Sequence, residues 1–577
     1  MKYYHHIPNT HQPLLAKNLV DIVKYRAHQQ ADELAYAFMN DGLNISDSLT
    51  YAQLDQEANK LARKLFDYKQ KSKTATALLL FPPGLQFIKA FWACLYSGVV
   101  AVPAYPIFNT KDMARLARIA EDCDANIVLT SSEGEKSIEL WFAQNEIKGM
   151  QCICIDAIAE ELPEDNIENN EIGELAFLQY TSGSTGNPKG VMVTHDNLLH
   201  NLRQIYSCFE HDSSSIGVIW LPPYHDMGLI GGILQPVYGG FPVYLMSPFT
   251  FIKRPLIWLQ AISKYRATTS GGPNFAFQLC TKNIHKLKDG LDLSSWKVAF
   301  CGAEPIRKST LDNFKKVFAA YGWNSEAMYP CYGMAESTLI ATGGKAGTAL
   351  KYISVDPVAL TNNVLEEYEQ DDARALVSCG KGTDIKILIV DPATNEIKMD
   401  SQIGEIWLSG NSVAAGYWNN NVLTTDIFSA YTRCGQGPFL RTGDLGSLIN
   451  EELFVTGRIK ELIIINGKNF YPTDFERCVQ DCSEDVRQDA GAAFACEQEN
   501  GDQLIIIQEV RKEKINSLNF EKLSQSIKDA IYDEFGLSPK VMLVAQGSIP
   551  KTSSGKIKRF QMKNLYESEM IQSLELA

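Results

Sequence analysis

The chain has 577 residues, of which 45% are hydrophobic and 21% are charged, a composition typical of a globular protein with roughly three or four domain-sized units. Its net charge of -14 argues against a protein that follows a nucleic-acid backbone, because that role needs clustered Lys and Arg. The amino-terminal residues lack the apolar core of a signal peptide, and glycines and prolines interrupt the apolar stretch 229–246. We therefore expect a cytoplasmic protein without stable membrane insertion and without a nucleic-acid partner.

Thirteen cysteines are scattered along the chain, and none of them forms a C-x-x-C pair. A structural zinc site needs closely spaced thiol or imidazole ligands, so this spacing favours free thiols. Free thiols are typical of a reducing compartment such as the cytoplasm.

Helical and strand-like patterns alternate in the first part of the chain. The amphipathic pattern of residues 51–68 predicts a helix, and short apolar runs predict strands. These runs cover residues 75–81, 127–129, 151–155 and 175–180. Such alternation is typical of βαβ crossover units, so we predict a large α/β domain of two layered subdomains.

The pattern changes near residue 384 and again after Arg458. Short β-like runs at 385–391, 404–409 and 453–455 predict a small β-barrel or a distorted sheet. The last segment then combines strands and helices, with strands predicted at 462–465 and 503–509 and helices at 471–481 and 520–535. We predict that it forms a separate, small and mobile α+β domain.

A loop rich in glycine and hydroxyl groups follows the predicted strand 175–180. It reads TSGSTGNPKG from Thr181 to Gly190. Its backbone N–H groups, hydroxyls and lysine predict a polyphosphate site, and therefore ATP as a substrate. The candidate ligands are Thr181, Ser182, Gly183, Ser184, Thr185, Gly186 and Lys189. The spacing excludes a Walker loop, and an ordinary surface turn is the alternative.

Seven further segments occur in an order that resembles the adenylate-forming enzymes, which include acyl-CoA synthetases, luciferases and peptide-synthetase adenylation domains. They are PPYHDMGLIGG from Pro222, GGPNFAF from Gly271, CGAEP from Cys301, YGMAES from Tyr332, RTGDLG from Arg441, GRIKELIIINGKN from Gly457 and PKTSSGKIKR from Pro550. The resemblance covers nearly the whole chain. It implies ATP and Mg²⁺ as cofactors.

Three side chains match the residues with which this family holds the nucleotide and its metal. Glu336 would bind Mg²⁺, for which carboxylate oxygen is a suitable ligand. Asp444 offers two acceptor oxygens that could capture both ribose hydroxyls. Arg458 resembles the family arginine that contacts ribose or phosphate. The alternatives are a surface glutamate, an aspartate turn and a domain-bridging salt bridge.

A purine could lie between slim backbone and an aromatic ring. The residues that predict this surface are Gly302, Ala303, Glu304, Tyr332, Gly333, Met334 and Ala335. Core packing is an equally good explanation for this group.

Two lysines near the carboxy terminus resemble functional lysines of the family. Lys556 lies in a hydroxyl-rich loop and would bring the substrate carboxylate and the α-phosphate together. Lys460 occupies the position of the family hinge, about which the carboxy-terminal domain rotates between half-reactions. The alternative for Lys556 is a solvated surface lysine.

The acyl substrate is predicted from residues near Tyr224. Adenylation domains for amino acids carry an aspartate directly after an aromatic residue, whereas His225 follows Tyr224 here. A carboxylic acid without a free α-amino group is therefore favoured. His225 could gate the acyl pocket, and a structural histidine is the alternative. The proposed pocket lining is Gly271, Gly272, Pro273, Phe275 and Phe277, although both phenylalanines could simply pack a core.

Two departures from the common family pattern resemble fatty acyl-AMP ligases. Ala335 stands where most members have threonine, and the segment 346–381 is longer than a simple connection requires. In those ligases such an insertion would hinder the rotated state that makes acyl-CoA, so that the acyl group passes to an acyl carrier protein. A disordered surface loop is the alternative.

The resemblance implies a fatty acyl-AMP ligase that activates a medium- or long-chain fatty acid with ATP and transfers it to a phosphopantetheinylated acyl carrier protein. Its adenylation domain would span residues 1–458, with a hinge at 459–460 and a carboxy-terminal lid domain at 461–577. The alternatives are an acyl-CoA ligase that uses free CoA and a non-catalytic acyl-nucleotide sensor or carrier-protein binding module.

Overall fold

A computed structural model describes residues 5–6, 8, 15–71, 75–107, 110–158, 172–181, 188–288, 290–498, 501–552 and 555–574. Its helices are Leu19–Gln29, Tyr51–Lys71, Leu85–Ser97, Thr110–Asp122, Glu135–Gln144, His195–Cys208, Gln235–Gly239, Pro248–Lys253, Leu256–Tyr265, Asn274–Asn283, Lys308–Phe318, Pro357–Thr361, Asn421–Phe428, Pro472–Cys482, Phe520–Phe535 and Arg559–Glu567. A π-helix covers Met227–Leu234.

Two large sheets form the amino-terminal part of the chain. The first has six strands, in the order Lys189–Thr194, Leu175–Thr181, Val100–Pro103, Thr76–Leu79, Ile127–Thr130 and Gln151–Cys154. The second has nine strands, in the order Lys381–Gly382, Ile340–Gly343, Met328–Gly333, Val298–Cys301, Thr269–Gly272, Gly217–Ile219, Val243–Met246, Leu34–Met39 and Asp47–Thr50. Parallel pairing dominates both sheets, and the antiparallel pairs lie at their edges.

The helix Leu85–Ser97 shows why these sheets form layers. Its sequence LQFIKAFWACLYS is apolar on nearly all sides, which is typical of a helix that is buried all round. It contacts the strands Thr76–Leu79 and Val100–Pro103 of the first sheet and the strand Leu34–Met39 of the second. One hydrophobic core therefore extends through both sheets.

Smaller sheets follow. Lys386–Val390, Gly404–Ser409, Leu440–Ile449 and Glu452–Arg458 form a four-stranded antiparallel sheet, which is the small β unit predicted from residue 384 onward. Two-stranded pairs join His5–His6 with Leu15–Ala16, Tyr352–Val355 with Arg374–Val377, and Ile463–Ile465 with Lys468–Phe470. The last sheet contains Val486–Gln498, Gly501–Val510 and Lys540–Val544.

The carboxy-terminal domain has hydrophobic cores of its own. One core is formed by residues between Ile463 and Leu543, and a second lies on the other side of the same sheet. The helix Phe520–Phe535 has the bounds predicted from the sequence: the Asn519 side chain accepts from Lys522 N–H at its start, and Gly536 adopts a left-handed conformation at its end. The predicted α/β fold with a large amino-terminal and a small carboxy-terminal domain is confirmed.

Two further findings concern features expected from composition. In the part of the chain that the structure describes, no helix combines the length and the apolar character needed to cross a bilayer. All thirteen cysteines carry free thiols.

An ion-pair cluster ties the final helix to the start of the carboxy-terminal domain. Arg559 donates to both oxygens of Glu476, at 2.7 Å from Nε and 2.7 Å from Nη2, and from Nη1 to Glu461 at 2.8 Å. Glu476 is only 4% exposed. Removing the arginine would therefore leave a buried carboxylate without its cation.

We expect Arg559→Met to lower the free energy of unfolding of the carboxy-terminal domain by about 3 kcal/mol, because breaking a buried ion pair leaves the other charge uncompensated. Urea unfolding, followed through the transition of this domain, measures the change. The matched control is Lys514→Met, which breaks a pair with Asp485 that is 48% and 31% exposed. That substitution should cost less than about 1 kcal/mol, and equal losses in both variants would contradict the prediction.

Candidate active site

The two ends of the glycine-rich loop lie side by side. Thr181 ends one strand, Lys189 begins the next, and the two residues are direct partners in the antiparallel register. The predicted ligands Ser182, Gly183, Ser184, Thr185 and Gly186 lie outside the described residues. Burial lowers the pKa of the Lys189 ammonium, and the nearby Lys460 lowers it further.

Tyr417 is a site residue that the sequence reasoning missed. Lys189 Nζ lies 5.2 Å from its ring centroid, and its hydroxyl donates to Glu336 Oε1 at 2.8 Å. Backbone hydrogen bonds between residues 190–192 and 415–418 fix its position. The signal in the sequence is the run Gly416-Tyr417-Trp418. In the structure, Gly416 has a φ of 130°, which favours glycine at this position.

Glu336 is buried in a short 3₁₀ turn, Ala335–Ser337, that follows Met334. Burial raises the pKa of its carboxyl, whereas the hydrogen bond from Tyr417 lowers it. Ala335 is itself buried. Because its side chain is a methyl group, this position offers no hydroxyl to a phosphate.

Asp444 and Arg458 face each other across two antiparallel strands. Arg458 Nε lies 2.9 Å from Asp444 Oδ1, and the Tyr332 hydroxyl donates to Asp444 Oδ2 at 2.9 Å. The aspartate side chain is 7% exposed and the arginine side chain 52% exposed. The Asp444 carboxylate raises the pKa of the Arg458 guanidinium. Arg458 thus pairs within its own sheet, and each Asp444 oxygen retains a lone pair for a ligand.

The predicted purine surface lies along one wall of a cavity. Gly302, Ala303, Tyr332 and Gly333 all line it. A Cβ on Gly333 would meet the Leu339 carbonyl oxygen at 1.7 Å, and one on Gly302 would meet the Cys331 carbonyl oxygen at 2.9 Å. Only glycine allows the backbone to approach this closely.

Lys556 faces this site from the carboxy-terminal domain. Its backbone N–H donates to Thr552 Oγ1 at 3.0 Å, which shapes the described part of the lysine loop. The residue is exposed, and charged groups of the larger domain lie close enough to influence its amine. Loss of hydration lowers the pKa of the Lys556 ammonium. The charged groups that act on it are Arg458, Asp226, Asp444 and Glu304.

His225 and Asp226 begin the segment that enters the cavity. Burial, followed by Lys556 and Arg115, lowers the pKa of His225 to about 4, so its imidazole is neutral at physiological pH. Burial raises the pKa of the Asp226 carboxyl, which accepts from Met227 N–H at 2.7 Å. Asp226 lines the cavity, although it was not among the site residues predicted from the sequence.

The cavity is lined by other residues than those of the predicted acyl pocket. Its lining does not include His225, Gly271, Gly272, Pro273, Phe275 or Phe277. Phe277 is fully buried and packs against Trp258, Trp296 and Phe314, which corrects its assignment to a tunnel and favours core packing. The space beside Gly271 and Gly272 is filled by Phe300 and Trp220. The apolar lining instead comes from the π-helix and the strands around it.

Glu304 lies near charged groups of the carboxy-terminal domain. Its Oε1 accepts from Phe275 N–H at 2.6 Å. Burial raises the pKa of this carboxyl to about 7, and the neighbouring Asp489 also raises it. Asp489 belongs to the carboxy-terminal domain and lies 3.8 Å from Arg307.

Comparison with known proteins defines the class. The model of the family described as AMP-binding enzyme matches residues 23–418. A second model, described as the AMP domain of Disco-interacting protein 2-like proteins, matches residues 460–575. The fold and these matches define an ATP-dependent, adenylate-forming ligase.

Individual relatives narrow this class. The chain is 42% identical to the medium-chain-fatty-acid–[acyl-carrier-protein] ligase JamA of Moorena producens, over 94% of this chain and 93% of the relative. It is 31% identical to the long-chain-fatty-acid–AMP ligase FadD32 of Mycolicibacterium smegmatis, over 95% and 94%. A fatty acyl-adenylate ligase structure from Legionella pneumophila, with acyl adenylate and pyrophosphate, has 39% identity, a TM-score of 0.74 and 96% coverage of both chains. The chain belongs to the AMP-binding enzyme family and, within it, to the fatty acyl-AMP ligases.

We expect the stability of Glu304→Gln relative to the wild type to depend on pH. The folded-state pKa of Glu304, about 7, lies above its ordinary value of 4.5. The stabilisation from the bound proton is therefore complete below pH 4.5 and is lost as the pH rises through 7. The substituted glutamine mimics the protonated form, so between pH 5 and pH 8 the variant should gain about 2.5 kcal/mol relative to the wild type. Urea midpoints at both pH values measure this, and a constant difference would contradict it.

Proposed function

We propose that this chain activates a fatty acid as its acyl adenylate and passes the acyl group to an acyl carrier protein. A carboxylate oxygen of the fatty acid attacks the α-phosphorus of ATP, and the bond from that phosphorus to the β-phosphate oxygen breaks, so pyrophosphate leaves. The phosphopantetheine thiol then attacks the acyl carbon, loses its proton and displaces AMP. We place this reaction in the cytoplasm, where free thiols persist.

One observation carries the proposal. Lys556 acts electrostatically on Asp226, which lines an apolar cavity, and on Asp444, which is paired with Arg458. A cation thus faces both the apolar cavity and the predicted ribose site. A cation near both would orient a fatty carboxylate against the α-phosphate and neutralise charge in the transition state.

The other residues have complementary proposed roles. Lys189, together with Thr181 and the loop that follows it, would hold the phosphates. Asp444 would accept from the ribose hydroxyls, and the purine would lie against Tyr332. His225 is neutral, so it could contact the substrate carboxylate as a hydrogen-bond donor but adds no charge.

The residues present also fit a magnesium ion bound together with substrate phosphates. No cluster of three metal-ligating side chains occurs among the described residues, but Mg²⁺ commonly binds one or two carboxylates along with phosphate oxygens and water. Glu336 is a buried carboxylate whose nearest hydrogen-bond partner is the neutral hydroxyl of Tyr417, so it would gain from a cation. The bound ion would neutralise charge on the departing pyrophosphate.

We further propose that residues 1–458 form the adenylation domain, 459–460 the hinge and 461–577 the lid. Lys460 lies in a 3₁₀ turn, Ile459–Glu461, directly after the last strand of the four-stranded sheet. A turn between two domains with separate cores is a suitable pivot.

The insertion at 346–381 supports the carrier-protein acceptor. Val355, Leu360 and Leu376 pack into one cluster with the four-stranded sheet and with Tyr471 of the carboxy-terminal domain. Arg374 forms an ion pair with Asp474, and both side chains are 14% exposed. These contacts link the insertion to both domains, so rotation of the lid would have to break them.

An acyl-CoA ligase that uses free CoA is the nearest alternative, because it would share every nucleotide residue. A non-catalytic sensor or carrier-protein binding module would bind ATP without releasing pyrophosphate. Both alternatives are tested by supplying the protein with ATP, Mg²⁺ and saturated fatty acids, with either CoA or a phosphopantetheinylated carrier protein, and identifying products by mass spectrometry. The expected products are acyl-AMP and acylated carrier protein, with little acyl-CoA. Abundant acyl-CoA would contradict the proposed acceptor, and absence of adenylate would contradict the proposed reaction.

We expect Lys556→Ala to lower kcat for adenylation by about 10²- to 10³-fold, the usual cost of losing a preorganised electrostatic contact. Pyrophosphate release measures the change. Lys563→Ala is the matched control, since Lys563 forms only an exposed pair with Glu567 at 3.8 Å. A loss below about threefold in the Lys556 variant would remove this lysine from the mechanism.

We expect Arg374→Ala to raise the ratio of acyl-CoA to acyl-AMP at least about tenfold, because it leaves Asp474 uncompensated and weakens the docked lid. The same product assay with free CoA measures the ratio. The control is Lys381→Ala in the same segment, which breaks an exposed ion pair between Lys381 and Glu451. Deletion within 346–381 should act in the same direction. Unchanged ratios in folded variants would show that the insertion does not restrict the acceptor.

A further inference from the structure

The apolar cavity extends along strands of the nine-stranded sheet, from their carboxyl ends to their amino-terminal ends. Gly302 and Gly333, at its mouth, lie at the carboxyl ends of their strands, whereas Thr269 and Gly217 begin theirs. Thr269 pairs with Val298, four residues before Gly302, which corresponds to about 13 Å along the sheet at ~3.3 Å per residue. The far end of the cavity therefore lies at the amino-terminal ends of these strands.

Aromatic side chains close this far end around one histidine. The ring of His211 lies 5.4 Å from that of Phe209 and 4.9 Å from that of Phe241, and all three residues line the cavity. His211 is 7% exposed and Phe241 is 1% exposed. A purely apolar end would suit a methyl group, so the imidazole requires its own explanation.

Burial keeps His211 neutral and lowers its pKa to about 3. The amide nitrogen of Gln235 lies 3.3 Å from Nδ1. When this amide donates, Nδ1 accepts and the ring proton resides on Nε2. No described atom accepts a hydrogen bond from Nε2, and the side-chain oxygen of Gln235 likewise has no partner among the described residues. In that tautomer His211, which lines the cavity, carries a buried donor for which no described atom is an acceptor.

We propose that the far end of this cavity binds an oxygen at the ω end of the acyl chain, and that the preferred substrate is a medium-chain fatty acid with a terminal hydroxyl. The hydroxyl oxygen accepts from His211 Nε2–H, and Gln235 is a positioning residue that holds the tautomer. The inference rests on the proposed function, because it assigns the acyl chain of that reaction to this cavity.

The energetics favour such a substrate. A buried donor that loses its solvation and finds no acceptor is costly, so a chain ending in a methyl group would leave His211 unsatisfied. A site built to hydrogen-bond a hydroxyl discriminates strongly against an analogue that lacks it, whereas an apolar pocket rejects an added hydroxyl only weakly. His211 would therefore contribute to specificity more than to turnover.

The test compares kcat/KM for pyrophosphate release with saturated acids from hexanoic to dodecanoic acid and with their ω-hydroxy counterparts. In the wild type, the best ω-hydroxy acid should exceed the plain acid of equal length by at least about tenfold. His211→Phe keeps an aromatic ring and removes the donor, so the ratio of kcat/KM for the ω-hydroxy acid to that for the plain acid of equal length should fall to about 1. The exposed His285, changed to Phe, is the matched control and should leave the preference intact.

Gln235→Leu provides a second variant if His211→Phe does not fold, and it should reduce the preference because the tautomer is no longer held. Robust turnover of plain acids with no preference for ω-hydroxy acids at any length would overturn this inference alone. A preference that persists in both variants would also overturn it. Absence of pyrophosphate release with every fatty acid would instead overturn the proposed function, and this inference with it.

Discussion

The ion pair between Asp444 and Arg458 is the contact on which the arrangement of the site depends. The two residues face each other on the last two strands of the four-stranded sheet, and a 3₁₀ turn, Ile459–Glu461, directly follows Arg458. The aspartate is held on its other oxygen by Tyr332, which belongs to the nine-stranded sheet. One buried carboxylate thus connects a wall of the cavity, the four-stranded sheet and the residue, Arg458, at which the last strand of that sheet ends. The carboxylate is buried, whereas the arginine is half exposed and its attraction is partly screened. The hydrogen bond from Tyr332 therefore contributes to fixing the relative position of all three.

The carboxy-terminal domain is held against the larger domain at two separate places. On one side, Arg307 lies near Asp489, whose charge also acts on Glu304. On the other, the insertion packs beneath Tyr471 and pairs Arg374 with Asp474. The first contact is partly exposed and therefore weak, whereas the second is largely buried and combines charge with apolar packing. The contact made by residues 346–381 is therefore the stronger of the two between the domains.

The apolar cavity exists because several positions along it carry no side chain. Glycines at 302 and 333 allow strands and turns to approach so closely that any Cβ would overlap neighbouring backbone, and Gly231 leaves the cavity-facing side of the π-helix open. At the far end, aromatic rings close the space around a neutral histidine. The glycines and the aromatic rings therefore shape the cavity at opposite ends of the same strands.

The sequence by itself determined the layered α/β fold, the separate carboxy-terminal domain and the family, because periodicity and local motifs are written in consecutive residues. It also marked Lys189, Glu336, Asp444 and Lys556, each of which stands in a distinctive segment. It did not reveal that Tyr417 bridges Lys189 and Glu336, or that Asp226, rather than Phe277, lines the cavity. Those facts depend on which distant strands become neighbours and in what register. A side chain's environment is set by packing across hundreds of residues, so only the tertiary structure decided that Phe277 fills a core and that His211 closes the cavity.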